Sequence, residues 1–392
     1  MNKRSLAALY QAAGWFLVAF VLIAGCHKLA QAEPYPRLAS YHGGSSGGAP
    51  FVKADGTLDD ALIKLTARYP IVTLNPNACL LRPDMPARFR YHNPKIKLLL
   101  YHQLTNWHLD STFVLNPSDT TFYAEQQRTL NWAHAWVPGA PAYAGFPIDW
   151  KQQDGADSLI KLWVKVTRRV KPDGWFFDYF NPVSAGAYGI SDDDDHNRLY
   201  HTRRLVDALH AEGVTVYGNG PGTLGQDRCG LDGGMNEGFP NGLTPFATAI
   251  KQNPGYWLKS ESAVGTSGNA TVARYTLGVA CLTGAFSEHG NSHYTGAPEA
   301  GTWWFPEYSV TPNGQADPTG SFTSWLGEAI GPPSHISSAI WRRHFVKGCV
   351  VVNTGGTTQT VQLGGQFRQI GSQSDITQIS VPPVTSVFLW RP

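Results

Sequence analysis

From about Leu62 onward the chain alternates short apolar runs with helical patterns, and this rhythm limits the possible architectures more than any other feature. The strand-like runs are Ile71–Leu74, Ile96–Tyr101, Phe146–Trp150, Gly174–Phe180, Val214–Asn219, Gly233–Glu237, Tyr256–Lys259 and Ala285–Glu288. The clearest helices between them are Ser158–Val170, Arg198–Glu212, which stops at Gly213, and the almost wholly apolar Val272–Leu282. Eight candidate strands alternating with helices over one stretch predict a (β/α)8 barrel, an α/β fold. A doubly wound sheet is the fallback, but no GxGxxG follows the first strand, so a dinucleotide site has no support.

After Pro333 the pattern shifts to short alternating runs: Cys349–Val352, Thr358–Leu363, Phe367–Ile370, Ile376–Val381 and Val387–Trp390. Gly and Ser turns such as Gly364-Gly365 separate them, which predicts a small antiparallel β module, sandwich-like, marginal alone and so expected to pack on the barrel as a structural cap rather than to bind sugar independently. The expected division is a leader at 1–32, a Pro/Gly/Ser-rich linker at 33–60, the barrel at 61–334 and the β module at 335–392.

The leader places the chain outside the cytoplasm. Lys3 and Arg4 precede an apolar run, Ala12–Gly25, too short for a comfortable membrane span and suited to an export signal. Two processing sites compete. Ile23-Ala24-Gly25-Cys26 resembles a bacterial lipobox, which would acylate Cys26; Ala30-Gln31-Ala32 resembles an ordinary small-x-small site. An uncleaved signal anchor is the third reading. The product is expected as an outer-membrane or cell-surface lipoprotein, or as a periplasmic or secreted protein. Export permits disulfides among Cys79, Cys229, Cys281 and Cys349, but their wide spacing equally suits four buried thiols, and with no CxxC pair a zinc ribbon is not expected.

With 31 Lys+Arg against 29 Asp+Glu, the chain lacks the basic excess that nucleic-acid binding requires. Its 13 Trp, 41 Gly and 27 Pro, with only 15% charged residues, suit a secreted, sugar-handling protein rich in ordered loops. The chain is expected to act as a monomer.

Barrel enzymes carry their chemistry at the C-terminal ends of the strands. Asp178 closes the run Gly174-Trp175-Phe176-Phe177-Asp178, on the strand counted fourth; Glu237 closes Gly233-Gly234-Met235-Asn236-Glu237, on the strand counted sixth. Glycosidic cleavage needs two carboxyls across the scissile bond, one protonating the leaving oxygen and the other attacking or activating water. Either acid could instead cap a helix or pair with an Arg. Glu261 after the seventh strand is the rival partner, and Glu288 after the eighth a weaker one. Asp192–Asp195 reads as a solvated helix start, and a calcium site there has no supporting ligand spacing. His289 and His293 lack a third metal ligand, so His289 is read as a residue lining the barrel mouth; no metal or organic cofactor is expected. Tyr101, Trp150, Tyr179 and Trp303, with Trp175, Phe180, Tyr217, Trp257 and Trp304, could stack on sugar faces or pack in the core. Asn219 could bond a sugar hydroxyl or make the turn its Gly neighbours imply.

Two segments, Lys97-Leu98-Leu99-Leu100-Tyr101 and Asp173-Gly174-Trp175-Phe176-Phe177-Asp178, resemble the barrel of glycosyl hydrolase-like family 15. They are similar, more distantly, to the endo-α-1,4-polygalactosaminidase barrels of glycoside hydrolase family 114. Trp325-Leu326-Gly327 and the run from Arg343 through Gly348 to Asn353 resemble the lead-in to the C-terminal β module of such hydrolases. The resemblance covers roughly residues 66–392. It implies an Asp after strand four and a Glu after strand six as the catalytic pair, positions that Asp178 and Glu237 match. The loops carrying His289, Trp303 and Trp304 follow no pattern of those families, which leaves the glycan open.

The expected function is therefore an exported glycoside hydrolase that cleaves a polysaccharide or oligosaccharide, with Asp178 as nucleophile or stabiliser and Glu237 as general acid/base. The alternatives are a catalytically inactive glycan-binding lipoprotein on the same barrel, and a structural or adhesion lipoprotein.

Overall fold

The computed structural model of the chain describes residues 34–41, 51–53, 55–103, 106–107, 146–147, 153–178, 192–219, 228–237, 239, 257–262, 269–291 and 304–392. Its strands are β1 (Ala39–Tyr41), β2 (Ile71–Leu74), β3 (Lys97–Gln103), β4 (Asn106–Trp107), β5 (Phe146–Pro147), β6 (Gly174–Asp178), β7 (Thr215–Asn219), β8 (Gly233–Glu237), β9 (Trp257–Ser262) and β10 (Phe286–Asn291), followed by those of the C-terminal module. Eight of them form one parallel sheet in the order β1-β2-β3-β6-β7-β8-β9-β10. A parallel bridge from Leu38 to Ser287 brings its two ends together, with the Ser287 amide donating to the Arg37 carbonyl at 2.9 Å. The result is a (β/α)8 barrel.

Two strand expectations change. The first barrel strand is Ala39–Tyr41, inside the segment expected to be linker, because the short apolar Leu38-Ala39 core of that segment is enough to pair with Ile71–Thr73. The run Phe146–Trp150 is not a barrel strand; Phe146–Pro147 pairs antiparallel with Asn106–Trp107 in a separate ribbon. One strand gained and one lost leave β6 fourth and β8 sixth.

The helices are α1 (Asp60–Thr66), α2 (Pro76–Leu81), α3 (Met85–His92), α4 (Gln153–Val170), α5 (Asp192–Ala211) and α6 (Ala270–Thr283). On α4, Ala156, Leu159, Ile160, Trp163 and Val166 recur at helical spacing and form the buried stripe. Asp192–Asp195 opens α5, as expected of a helix start. α6 begins at Asn269, whose side chain accepts from the Thr271 and Val272 amides at 3.2 Å, and ends at Gly284 in the left-handed conformation (φ 84°). It is apolar nearly all round because it is sandwiched between the barrel and the C-terminal module. A side chain at Gly278 would overlap Ser386 and come within 3.0 Å of Val352. Among the described residues no helix is long and apolar enough to cross a membrane.

The module comprises β11 (Ser334–Ser337), β12 (Ile340–Phe345), β13 (Gly348–Asn353), β14 (Gln359–Gln369), β15 (Ile376–Val381) and β16 (Thr385–Trp390), antiparallel in the order β11-β12-β13-β16-β14-β15. Gly364-Gly365, expected as a turn between two strands, lies within β14. Gly364 takes φ 72° and the register shifts between Gln362 and Phe367, so the pair makes a bulge instead. Val350, Val352, Phe388 and Trp390 join the same apolar cluster as the barrel helices, while Val351, Val361, Leu363, Phe367 and Leu389 form a small core on the opposite face.

Candidate active site

The interior of the barrel is a buried cluster of Ala39, Ile71, Leu99, Tyr101, Phe176, Tyr217, Met235, Trp257 and Phe286. Side chains alternate along a strand, so residues in step with these face inward and their neighbours face the helices. Followed through all eight pairings, the register slips by eight residues in one circuit. That is the shear of this barrel type. Constant height thus means advancing one residue per strand. On that count the backbone positions of Asp178 on β6, Glu237 on β8 and Gly290 on β10 share one layer near the C-terminal mouth. Tyr101, Asn219 and Lys259 occupy the layer beneath, on β3, β7 and β9, and Glu288 lies one layer lower.

Asp178 is only 8% exposed. The Tyr101 hydroxyl donates to its Oδ2 at 2.7 Å, and Asn219 Nδ2 donates to its Oδ1 at 3.0 Å. The two donors come from the strands on either side of β6. They clamp both carboxylate oxygens and offset the desolvation of a carboxylate set among aromatic rings. Phe176, stacked against Tyr101 at 6.4 Å, supports the clamp from below.

Lys259 and Glu288, 2% and 3% exposed, are register partners across β9 and β10. Gly290 stands above them. A Cβ at Gly290 would lie 3.7 Å from Glu288 Oε1 and 4.0 Å from Lys259 Cε, so the two side chains converge beneath it.

The residues expected at the site fall into three groups. Asp178, Tyr101 and Asn219 come together, although Tyr101 and Asn219, expected to touch sugar, bond Asp178 directly. Glu237 and Glu261 end or approach the end of β8 and β9, at positions described through their backbone alone. Trp150, Tyr179, Trp303 and Cys26, with His293 and Phe180, lie outside the described residues. His289 does not line the mouth. It follows Glu288 on the outward side of β10, with Nδ1 2.7 Å from Ser260 Oγ and its ring edge-on to Phe305. Burial pulls its pKa down to about 4. Trp175 and Trp257 are core residues, and Trp304 packs against Tyr69 and Tyr308 under the Arg68 guanidinium.

The sequence reading did not single out Lys259 or Gly290, which fall on the inward phase of their strands. Their signal is the inward phase of β9 and β10, which only Trp257 and Phe286 reveal. Among the described residues no group of three or more His, Cys, Asp or Glu is arranged to hold a metal ion. Cys79, Cys281 and Cys349 are buried thiols outside any disulfide, and burial pushes each up to about 12.

No family model and no curated protein matches the chain by sequence. Solved structures match by fold. A maltogenic alpha-amylase, AmyB, from Thermotoga neapolitana superposes with a TM-score of 0.52 at 11% identity, covering 90% of this chain and 98% of that one. An Anoxybacillus alpha-amylase, described as a new glycosyl hydrolase subclass, gives 0.51 at 11% identity over 90% and 97%. Aspergillus fumigatus Ega3, solved with galactosamine, gives 0.37 at 11% identity over 66% and 92%, too distant to bear on the site. At these identities the likeness establishes the fold: this chain has the barrel architecture found among glycoside hydrolases.

Proposed function

We propose that the chain is an exported glycoside hydrolase acting on a polysaccharide through two carboxyl groups, Asp178 and Glu237. The observation that carries this reading is the clamped carboxylate of Asp178: buried, at the end of the fourth strand, with a donor on each oxygen. A structural acid capping a helix has no use for such fixation inside a barrel mouth. A nucleophile or charge stabiliser does, since it must meet the anomeric carbon in one orientation.

The backbone of Glu237 shares the layer of Asp178 two strands away, which supports reading it as the second acid at one linkage. Glu237 protonates the departing oxygen; Asp178 attacks or stabilises the anomeric carbon; Glu237 then takes the proton of the incoming water. A carboxyl separation of about 5–5.5 Å gives retention and about 6.5–9.5 Å inversion. The expected export leader supports a substrate outside the cytoplasm.

The test is Asp178→Asn and Glu237→Gln, each assayed with the wild type on amino-sugar polymers and other exopolysaccharides. Each variant is expected to lose at least about a hundredfold in kcat on the glycan the wild type cleaves. Full activity in either removes that residue from the mechanism. Glycan binding without hydrolysis by the wild type would favour the inactive binding protein.

A further inference from the structure

From Ser334 to the C-terminus the chain carries five Lys or Arg residues and a single acid, Asp375, which Arg368 holds, although the whole chain is only +2. Phe345, Val350, Val352, Phe388 and Trp390 face the barrel helices. Side chains alternate along a strand, so Arg342, His344 and Arg391 turn the other way. Arg391 lies over the Phe367 ring at 5.3 Å, and His344 stacks on the same ring at 6.0 Å. Burial and then the Arg342 and Arg391 guanidiniums lower the pKa of His344, which is the neutral member between two cations. Its Nδ1 and the Arg342 Nε are buried without a partner. Lys347 is exposed at the adjoining turn, its carbonyl accepting from the Arg391 amide at 2.8 Å. Among the described residues Arg342, Lys347 and Arg391 make no ion pair. The acid at this margin, Glu328, stands opposite Val346 and pairs with none of them. Beside the cations, Ile330 and Val346 are 57% and 54% exposed. The Ile330 amide donates to the His344 carbonyl at 2.9 Å, and Ala329 bridges Phe345 in antiparallel register. Ile330 and Val346 are therefore diagonal neighbours on the side of His344.

We propose that this margin of the module docks on an anionic lipid surface. Ile330 and Val346 enter the interface, and Lys347 and Arg391 meet the headgroup phosphates. Arg342, whose Nη1 is held by the Gln362 and Leu363 carbonyls, adds to the field rather than to the contact. Two branched apolar side chains in water, beside cations that outnumber the single Glu328, match a bilayer interface on both counts. A soluble acidic glycan accounts for the cations alone. It offers nothing to Ile330 and Val346, and Phe367 is buried beneath His344 and Arg391 rather than open for a sugar to stack on. A second copy of the chain, meeting this patch with its own, would bring like charge against like. The inference does not depend on the hydrolase reading, since none of these residues belongs to the site of Asp178.

The experiment uses the full chain with Cys26→Ser and Val346→Cys, labelled at position 346 with an environment-sensitive fluorophore. Cys79, Cys229, Cys281 and Cys349 are buried, so the label goes to the new site. Emission is read on vesicles of phosphatidylcholine mixed with phosphatidylglycerol and on vesicles of phosphatidylcholine alone. Insertion of the leader, common to both, does not move a label on the module. A blue shift is expected on the mixed vesicles only, and salt should reverse it. Adding Lys347→Gln and Arg391→Gln is expected to cut the shift to about a tenth. Ile330→Asn should weaken it without changing its salt dependence. Melting temperatures equal to that of the labelled parent show that the fold is kept. No shift on the mixed vesicles, or an equal shift on both kinds, overturns the proposal. So does a shift that survives in the charge variant. A labelled chain that ignores lipid but binds dextran sulfate through Lys347 and Arg391 assigns the patch to an acidic polymer instead, and the lipid proposal falls.

Discussion

His289 shows how one side chain ties stability to pH. Sealed between Ser260 and Phe305, it is held neutral, with its pKa lowered from 6.5 to about 4 by burial. The unfolded chain therefore binds a proton that the folded chain refuses between those values. Its contribution is complete above pH 6.5 and is lost as pH falls towards 4, about 3 kcal/mol in all. Burial also lowers the pKa of His201 and His344, which act in the same direction. Exposed carboxylates such as Asp60, held at about 2 by Arg88 and then His92, withdraw support only below 3.8. Urea unfolding is thus expected to show stability rising from pH 4.5 to 7. His289→Gln should be weaker at pH 7 but should lose less on acidification; an unchanged pH slope would show that His289 is not the group responsible. The sequence announces Asp178 plainly, as an acid ending an apolar strand. It hides what Tyr101 and Asn219 do, because a donor's height relative to a neighbouring strand depends on register and shear. Their chemistry suggested sugar contacts, and the barrel gives them a nearer partner.

At the scale of elements, the strands that alternate or run apolar for five residues were legible, and those that borrow stability were not. Ala39–Tyr41 is three residues long and lies in a segment rich in Pro, Gly and Ser, so local pattern reads it as linker. It becomes a strand because Ile71–Thr73 offers an open edge on one side and Ser287 a bridge on the other. Phe146–Trp150 has the right composition but finds its partner in Asn106–Trp107, outside the barrel. α6 was legible as a buried helix, and its glycine carries the reason it fits. Gly278 lies against Ser386 and Val352, where an added Cβ would collide with the Ser386 Cβ, an atom that no rotamer change can move. Gly278→Ala is therefore expected to cost about 1–3 kcal/mol in urea unfolding. Adding Ser386→Gly should return a good part of that loss, since the two sites touch and their effects cannot simply add. Full stability in Gly278→Ala would mean that α6 and β16 are free to separate.

For the whole molecule, the barrel and the β module share one core. Phe345, Val350, Val352, Phe388 and Trp390 belong to the same buried cluster as the barrel helices. Polar contacts follow the same seam. Arg343 Nη1 donates to the Cys281 and Leu282 carbonyls at 2.9 and 3.0 Å, covering the C-terminal end of α6. The segment leading into the module also steadies the shortest barrel strand. Leu326 donates to the Tyr35 carbonyl at 2.8 Å, Tyr35 donates to that of Gly327 at 2.9 Å, and the Tyr35 ring meets Phe345 at 5.0 Å. Tyr35 precedes β1 by only a few residues, so the module's lead-in positions the strand that closes the barrel. Calorimetry of the full chain is therefore expected to give a single transition, with matching calorimetric and van't Hoff enthalpies. A chain ending at Gly331 exposes α6 and Leu326 and releases β1's approach; it is expected to aggregate or to melt without cooperativity. Two separable transitions in the full chain, or a soluble and cooperative truncated barrel, would show that the module is an appendage and that β1 holds its place unaided.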